Sequence, residues 1–276
     1  MTTEAAVIRS LEFAAVTGFR PLELDIHLPE SPPPWPAVLY LHGGGWRLGS
    51  RRMPSPPYRN WNPGLFRRVA AAGIAVVSAD YRLSAEALFP AQLDDVRQAL
   101  AWIASDGEEH GLDPARVMLW GDSAGGHLAA LAALEPQVTV RAVVNWYPIT
   151  DLTALKEDAL AVNGEPHDTP DARETALLGA PVQDVPDLAR RASPVAHVRP
   201  GAPPFLLVHG TADLASPYAQ SLRLRDALAA AGNEVTLVPM TGLGHMWQGA
   251  DTAQLTNILN TTISFLRHHS RLRGDG

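Results

Sequence analysis

Four short segments of this chain carry residue types that could do nucleophilic chemistry. The first is Gly121-Asp122-Ser123-Ala124-Gly125, a G-x-S-x-G pattern with Gly126 following. It lies between an apolar run, Val117–Trp120, and an Ala/Leu-rich stretch, so Ser123 is expected on a tight turn from strand to helix. Such a turn crowds its own backbone and needs small residues two before and two after the serine. It also sets the hydroxyl at a helix N-terminus, where the dipole favours developing negative charge. The second segment is His42-Gly43-Gly44-Gly45-Trp46, directly after the run Ala37–Leu41. Its glycines let backbone N–H groups turn toward one point, so Gly44, Gly45 and Ala124 are the expected donors of an oxyanion hole. The remaining two segments complete a charge system in the order Ser…Asp/Glu…His. His209-Gly210-Thr211-Ala212-Asp213 places Asp213 in a turn after the run Phe205–Val208. The histidines downstream are His245, His268 and His269; the last two sit with Arg267 and Arg271 in a terminal helical pattern, whereas His245 lies in the Gly-flanked loop Thr241–His245. Ser123 is therefore the expected nucleophile, His245 the general base and then acid, and Asp213 the carboxylate that orients it.

Other polar residues have plainer readings. Asp94 and Asp95, at a helix start, are expected to hold the loop near Tyr81 and Arg82. Asp122 should bond backbone, His127 should pack, and His209 should support the turn carrying Asp213. Ten histidines invite a metal reading, but neither H-x-x-x-H nor H-E-x-x-H occurs, so no metal and no cofactor is expected. The chain has no cysteine, which removes thiol nucleophiles and Cys-ligated zinc. Its one lysine, Lys156, lies between Leu155 and Glu157 and not in a phosphate-binding Gly-Lys-Ser/Thr loop. A net charge of −7 opposes non-specific nucleic-acid binding.

The elements that must position these residues follow from the apolar pattern. Strands are expected near Val7–Phe13, Leu22–Leu28, Ala37–Leu41, Ile74–Ala79, Val117–Gly121, Val140–Trp146, Phe205–Val208 and Val235–Met240. Several are solidly apolar, as strands buried on both faces are. Helical periods occupy Pro63–Ala72, Pro90–Ser105, Ala124–Leu134, Pro217–Ala231 and Thr252–His268. The alternation after Leu41 reads as a mostly parallel α/β sheet. Two stretches interrupt it: the Pro-rich loop Arg51–Asn62, and Asp151–Ser193, which is polar, turn-rich and far longer than a usual connection. The latter reads as a solvated excursion or as a small cap over the strand ends. Trp46, Tyr58, Trp61, Tyr147 and Trp247 fall in or beside loops at strand C-termini, where open α/β sheets bind ligands. Trp46 and Trp247 adjoin the catalytic candidates and are expected to wall a short pocket.

At these positions the chain resembles the α/β-hydrolase fold. It is similar in particular to bacterial esterases of the hormone-sensitive-lipase-like group and their acetyl-xylan/feruloyl-esterase-like relatives. Asp80-Tyr81-Arg82-Leu83, Phe89–Asp95, Gly111-Leu112-Asp113-Pro114 and Pro203-Pro204-Phe205 add to the four motifs, and the resemblance runs from about Leu22 to Leu266. It implies an eight-stranded, mostly parallel sheet flanked by helices, an acyl-enzyme mechanism and no cofactor. Lipase-like members carry a long helical cap before the glycine loop; only 41 residues precede His42 here, so the shorter esterase-like branch fits better. The turn Asp213-Leu214-Ala215-Ser216-Pro217 is less apolar than in those relatives. The expectation is one α/β-hydrolase domain over 1–276, with 151–193 as a cap-like insertion. The function expected is hydrolysis of short-chain carboxylic esters, best near C2–C4. An amidase or formamidase of the same fold, or a non-catalytic ligand-binding member, are the alternatives. The partner is a small-molecule ester, with no nucleic acid and no membrane span, and a homo-oligomer stays open. Residues 1–10 lack a basic segment followed by an apolar one, so no leader and a cytoplasmic location are expected.

Overall fold

Alternate residues of each strand point to opposite faces of a sheet, and here both faces are apolar. Leu39 and Leu41, Leu119, Val143 and Leu207 belong to one core, while Val38 and Tyr40, Trp120, Val144 and Val208 belong to another. The sheet must therefore be covered on both sides. The computed structural model describes residues 7–271 and meets that requirement.

Eight strands form one sheet: β1 (Val7–Ala14), β2 (Leu22–His27), β3 (Trp35–Leu41), β4 (Ala75–Ala79), β5 (Leu112–Asp122), β6 (Val143–Trp146), β7 (Phe205–Gly210) and β8 (Val235–Met240). Their order is β1-β2-β4-β3-β5-β6-β7-β8. β1 and β2 are antiparallel, as are β2 and β4; every later pairing is parallel. The helices are α1 (Leu65–Ala71), α2 (Ala91–Asp106), α3 (Ala124–Ala133), α4 (Leu155–Ala161), α5 (Arg173–Leu178), α6 (Pro186–Arg191), α7 (Tyr218–Ala230) and α8 (Thr252–His269). Leu65, Phe66 and Val69 of α1 and Leu255, Ile258 and Leu259 of α8 cover one face. Val96 and Ile103 of α2, Leu128 and Leu131 of α3, and Leu224 and Leu228 of α7 cover the other. This is the α/β-hydrolase arrangement.

All eight expected strands are present, with shifted bounds. β5 begins at Leu112, ahead of the expected Val117, because Leu112 pairs with Trp35 before a register irregularity. β6 begins only at Val143. Segment 151–193 is not a solvated excursion. Leu152, Leu155, Leu177, Leu178, Ala189 and Ala192 are buried in the core that holds α2 and α3. No helix among the described residues is long and apolar enough to cross a membrane.

Candidate active site

β3 and β5 end side by side, with Leu41 paired to Gly121. The chain leaving β3 therefore enters the glycine loop next to the turn between β5 and α3. Ser123 occupies that turn at φ 52°, ψ −118°, a left-handed backbone that costs a non-glycine residue of order 1–3 kcal/mol. Its N–H donates to the Trp146 carbonyl at 2.9 Å and its carbonyl accepts from His127 N at 3.0 Å, which pins the turn on both sides. The small neighbours are sterically required. A Cβ on Gly121 would sit 2.6 Å from Gly126 N, and one on Gly125 would sit 2.7 Å from the His42 carbonyl oxygen.

His245 opens a single helical turn after β8, and Asp213 lies in the turn after β7. Ser123 Oγ is 3.1 Å from His245 Nε2, and His245 Nδ1 is 2.7 Å from Asp213 Oδ2. Three residues from three loops thus form one continuous hydrogen-bonded chain. Asp213 is buried, and its Oδ1 accepts the N–H groups of Ala215 and Ser216 at 2.9 and 2.8 Å, which fixes the carboxylate plane. His209 supports it from behind: Nε2 is 3.3 Å from Asp213 Oδ2 and 2.8 Å from the Ser216 carbonyl oxygen, while Nδ1 meets Ser221 Oγ at 2.7 Å. Burial works to raise the Asp213 pKa, but the bonds to His209 and His245 outweigh it and hold the carboxyl well below the usual range.

The Gly43 N–H is taken by Asp122 Oδ1 at 3.0 Å. Those of Gly44, Gly45 and Ala124 meet no acceptor among the described residues. Gly44 needs to be glycine on two counts: φ is 122°, and an added Cβ would overlap the Leu48 backbone. Asp122 does more than bond backbone. Tyr40 Oη donates to its Oδ1 at 2.6 Å and Tyr147 Oη to its Oδ2 at 3.3 Å. Ser55 closes a ring, its N–H donating to Tyr40 Oη at 3.1 Å and its Oγ meeting Tyr147 Oη at 2.7 Å. Burial pushes the Asp122 carboxyl up against these bonds. The ring ties the glycine loop, the serine turn and the Pro-rich loop together. The Tyr147 ring also packs edge-on against the His245 imidazole, centroids 4.9 Å apart.

Ser123 and His245 open into a cleft of about 350 Å³. Its walls are Leu48, Met53, Pro54, Pro56, Arg59, Arg173 and Met246, with the three glycines beside the serine. Of segment 151–193, Arg173 alone reaches the lining. Neither Trp46 nor Trp247 lines the cleft, contrary to the sequence expectation. Trp46 is 1% exposed and donates through Nε1 to His127 Nδ1 at 3.2 Å. Trp247 is 2% exposed and packs edge-on against Tyr147 and Trp146. Both have left-handed backbones, φ 56° and 61°, as does Met246 at 55°. These turns send the indoles inward and leave Leu48 and Met246 as walls. Sequence adjacency to a catalytic residue carried no information on direction. Asp95 behaves as expected, clamping Arg82 through its N–H at 2.7 Å and its guanidinium, whereas Asp94 pairs with Arg97. No group of three or more His, Cys, Asp or Glu among the described residues could hold a metal ion.

A mostly parallel sheet carrying a serine on a strained turn, between β5 and α3, defines the class as the α/β-hydrolases. Within that class the chain belongs to the BD-FAE family, whose model matches residues 24–228. That match includes the glycine loop, Ser123 and Asp213 and ends before His245. The chain is 30% identical over 244 residues to the esterase LipQ of Mycobacterium tuberculosis, covering 84% of this chain and 55% of that protein. It is likewise 30% identical to the esterase LipC of the same organism, covering 87% of this chain and 60% of that one. The chain therefore spans little more than half the length of these curated relatives. Among solved structures, a truncated carbohydrate esterase from gut microbiota superposes with a TM-score of 0.80 at 25% identity, covering 96% of both chains. The butyrate-bound structure of a thermophilic esterase, Est2 of Thermogutta terrifontis, superposes with a TM-score of 0.75 at 26% identity, covering 97% and 96%.

Proposed function

We propose that this protein hydrolyses carboxylic esters through an acyl-enzyme formed on Ser123. His245 Nε2 takes the proton as Ser123 Oγ attacks the ester carbonyl, and Asp213 holds the imidazole with its Nδ1–H toward the carboxylate. The N–H groups of Gly44, Gly45 and Ala124 receive the oxyanion, where fixed dipoles need no reorganisation as charge develops. His245 then returns the proton to the leaving alcohol. Water, activated by the same imidazole, attacks the acyl group and frees Ser123. The observation that carries this reading is the relay of 3.1 and 2.7 Å from Ser123 through His245 to Asp213, opening into the cleft.

The acyl group is short in this reading. A cleft of about 350 Å³ lies at the small end of ligand pockets, and the Thermogutta esterase has been solved with butyrate bound. Residues 1–276 act as one catalytic domain, with 151–193 as an insertion that supplies Arg173 to one wall. A fluorophosphonate probe should label wild-type protein on Ser123 and leave Ser123→Ala unlabelled. A p-nitrophenyl ester series from C2 to C12 should give its highest kcat/KM near C2–C4. Labelling that survives Ser123→Ala refutes the nucleophile, and a maximum at C10 or longer refutes the short acyl site.

A further inference from the structure

Arg59 and Pro54 line more than the cleft. A second cavity, of about 200 Å³, adjoins it and shares Pro54 and Arg59 as lining. Beyond that shared boundary the second cavity is bordered by Arg9, Arg52 and Arg67. Together with Arg173, which lines the cleft that holds Ser123, five arginines line these two neighbouring cavities. The chain as a whole carries a net charge of −7, so this concentration runs against its composition.

The carboxylates lining the two cavities are Asp122 and Asp25, and both are committed. Asp122 is enclosed by Tyr40, Tyr147 and Gly43. Asp25 is 1% exposed and accepts from Arg51 at 2.9 Å and Arg52 at 3.4 Å, with Arg9 3.6 Å away. Arg173 is paired with an exposed glutamate, Glu165, at 3.1 Å. Arg59 and Arg67 have no carboxylate within salt-bridge distance among the described residues. The Arg59 Nε donates weakly to the Pro54 carbonyl at 3.4 Å, which leaves the outer nitrogens of its guanidinium unengaged. A planar guanidinium with two free N–H groups matches a carboxylate bidentately.

We propose that the preferred esters carry a carboxylate, which Arg59 holds at the boundary of the two cavities, with Arg52, Arg67 and Arg9 receiving further acidic groups of longer substrates. This rests on the esterase reading above and names its substrate class. Clustered like charge in a concave surface also raises the local concentration of an anionic substrate in a salt-dependent way.

Two matched pairs of esters test it, one for each side of the ester bond. The mono-p-nitrophenyl ester of glutaric acid is compared with p-nitrophenyl pentanoate, and 4-acetoxybenzoate with its methyl ester. In at least one pair the charged member should have a kcat/KM about tenfold above its neutral partner at low ionic strength, a preference that shrinks in 0.5 M NaCl. Arg59→Gln should lower the charged-to-neutral ratio about tenfold, the loss expected for one charge-assisted contact. Arg67→Gln, outside the cleft, should weaken the salt dependence of the charged ester. Neutral esters cut faster in both pairs, with a ratio indifferent to Arg59→Gln, would overturn this proposal and leave the esterase reading standing. Failure to cut any of the four esters would overturn both.

Discussion

Asp213→Asn separates the charge of the relay from its geometry. In the wild-type chain Oδ1 accepts two backbone N–H groups, from Ala215 and Ser216, and Oδ2 faces His245 Nδ1 at 2.7 Å. An asparagine can keep the first arrangement only by directing its oxygen at those two donors. The flipped amide would set its NH₂ against two N–H groups. The NH₂ therefore faces His245, where it donates and forces Nδ1 to accept. The imidazole proton then sits on Nε2, the atom that must take the proton from Ser123. The same wrong-tautomer substitution in a Ser-His-Asp triad costs about 10⁴ in kcat, or about 5 kcal/mol of transition-state stabilisation. Stability should fall, because the asparagine keeps both bonds to backbone but loses the charge that His209 and His245 hold. Asp213→Ala should lose more, since two buried N–H donors also lose their acceptor at about 1–3 kcal/mol each. The assay is kcat on p-nitrophenyl acetate together with the rate of fluorophosphonate labelling, on protein whose melting temperature has been measured. A folded Asn variant within tenfold of wild-type turnover would refute the tautomer argument and with it the role of His245 Nε2 as base.

Trp247→Ala should cost about 3–5 kcal/mol of stability, read as a lower melting temperature, and leave the preferred acyl length unchanged. Met246→Ala should instead move that preference toward longer chains with little loss of stability. Gly44→Ala should lower kcat about 10²–10³-fold by displacing an oxyanion donor, measured against an unchanged fold by circular dichroism. Acid should destabilise the protein well above the carboxylate range. Burial pushes both His42 and His127 down to about 4, so between about pH 6.5 and 4 the unfolded chain binds protons that the folded chain refuses. Their contribution is complete above that window and falls as pH drops through it, by about 3 kcal/mol for each histidine at its lower end. Asp213, whose carboxyl is depressed, loses its contribution only below about pH 4. Thermal melts from pH 7 to 4.5 with a constant midpoint would contradict this.

The eight strands and the positions of Ser123, His245 and Asp213 were legible because each depends on local signals. A solidly apolar run specifies a strand buried on both faces, and a glycine-flanked serine specifies a crowded turn. Direction was not legible. Trp46 and Trp247 adjoin the candidate catalytic segments, yet left-handed turns in both loops send their side chains away from the cleft. No periodicity encodes that rotation. Arg59 and Arg173 were missed for another reason. They come from a Pro-rich loop and from α5, more than a hundred positions apart, and meet only through tertiary packing. The ring of Asp122, Tyr40, Tyr147 and Ser55 was likewise hidden, since its members come from four separate segments, although β3 and β5 in register bring Tyr40 opposite Trp120, two positions before Asp122.

The left-handed residues bear on how this protein can diverge. Seven non-glycine residues among those described have positive φ, and five of them, Trp46, Ser123, Tyr147, Met246 and Trp247, surround the site. Ser123 and its surroundings therefore hang on strained joints that dense packing keeps in place. The cleft walls Leu48 and Met53 are different: they are 70% and 38% exposed and bear little of that packing. Changing them forfeits little burial, and substitutions of that kind usually stay within about 0.5 kcal/mol. A lineage can thus vary the cleft walls one point mutation at a time without first acquiring spare stability. A mutagenesis library confined to Leu48 and Met53 should keep most of its members folded, whereas one of equal size spread over Tyr147 and Trp247 should not.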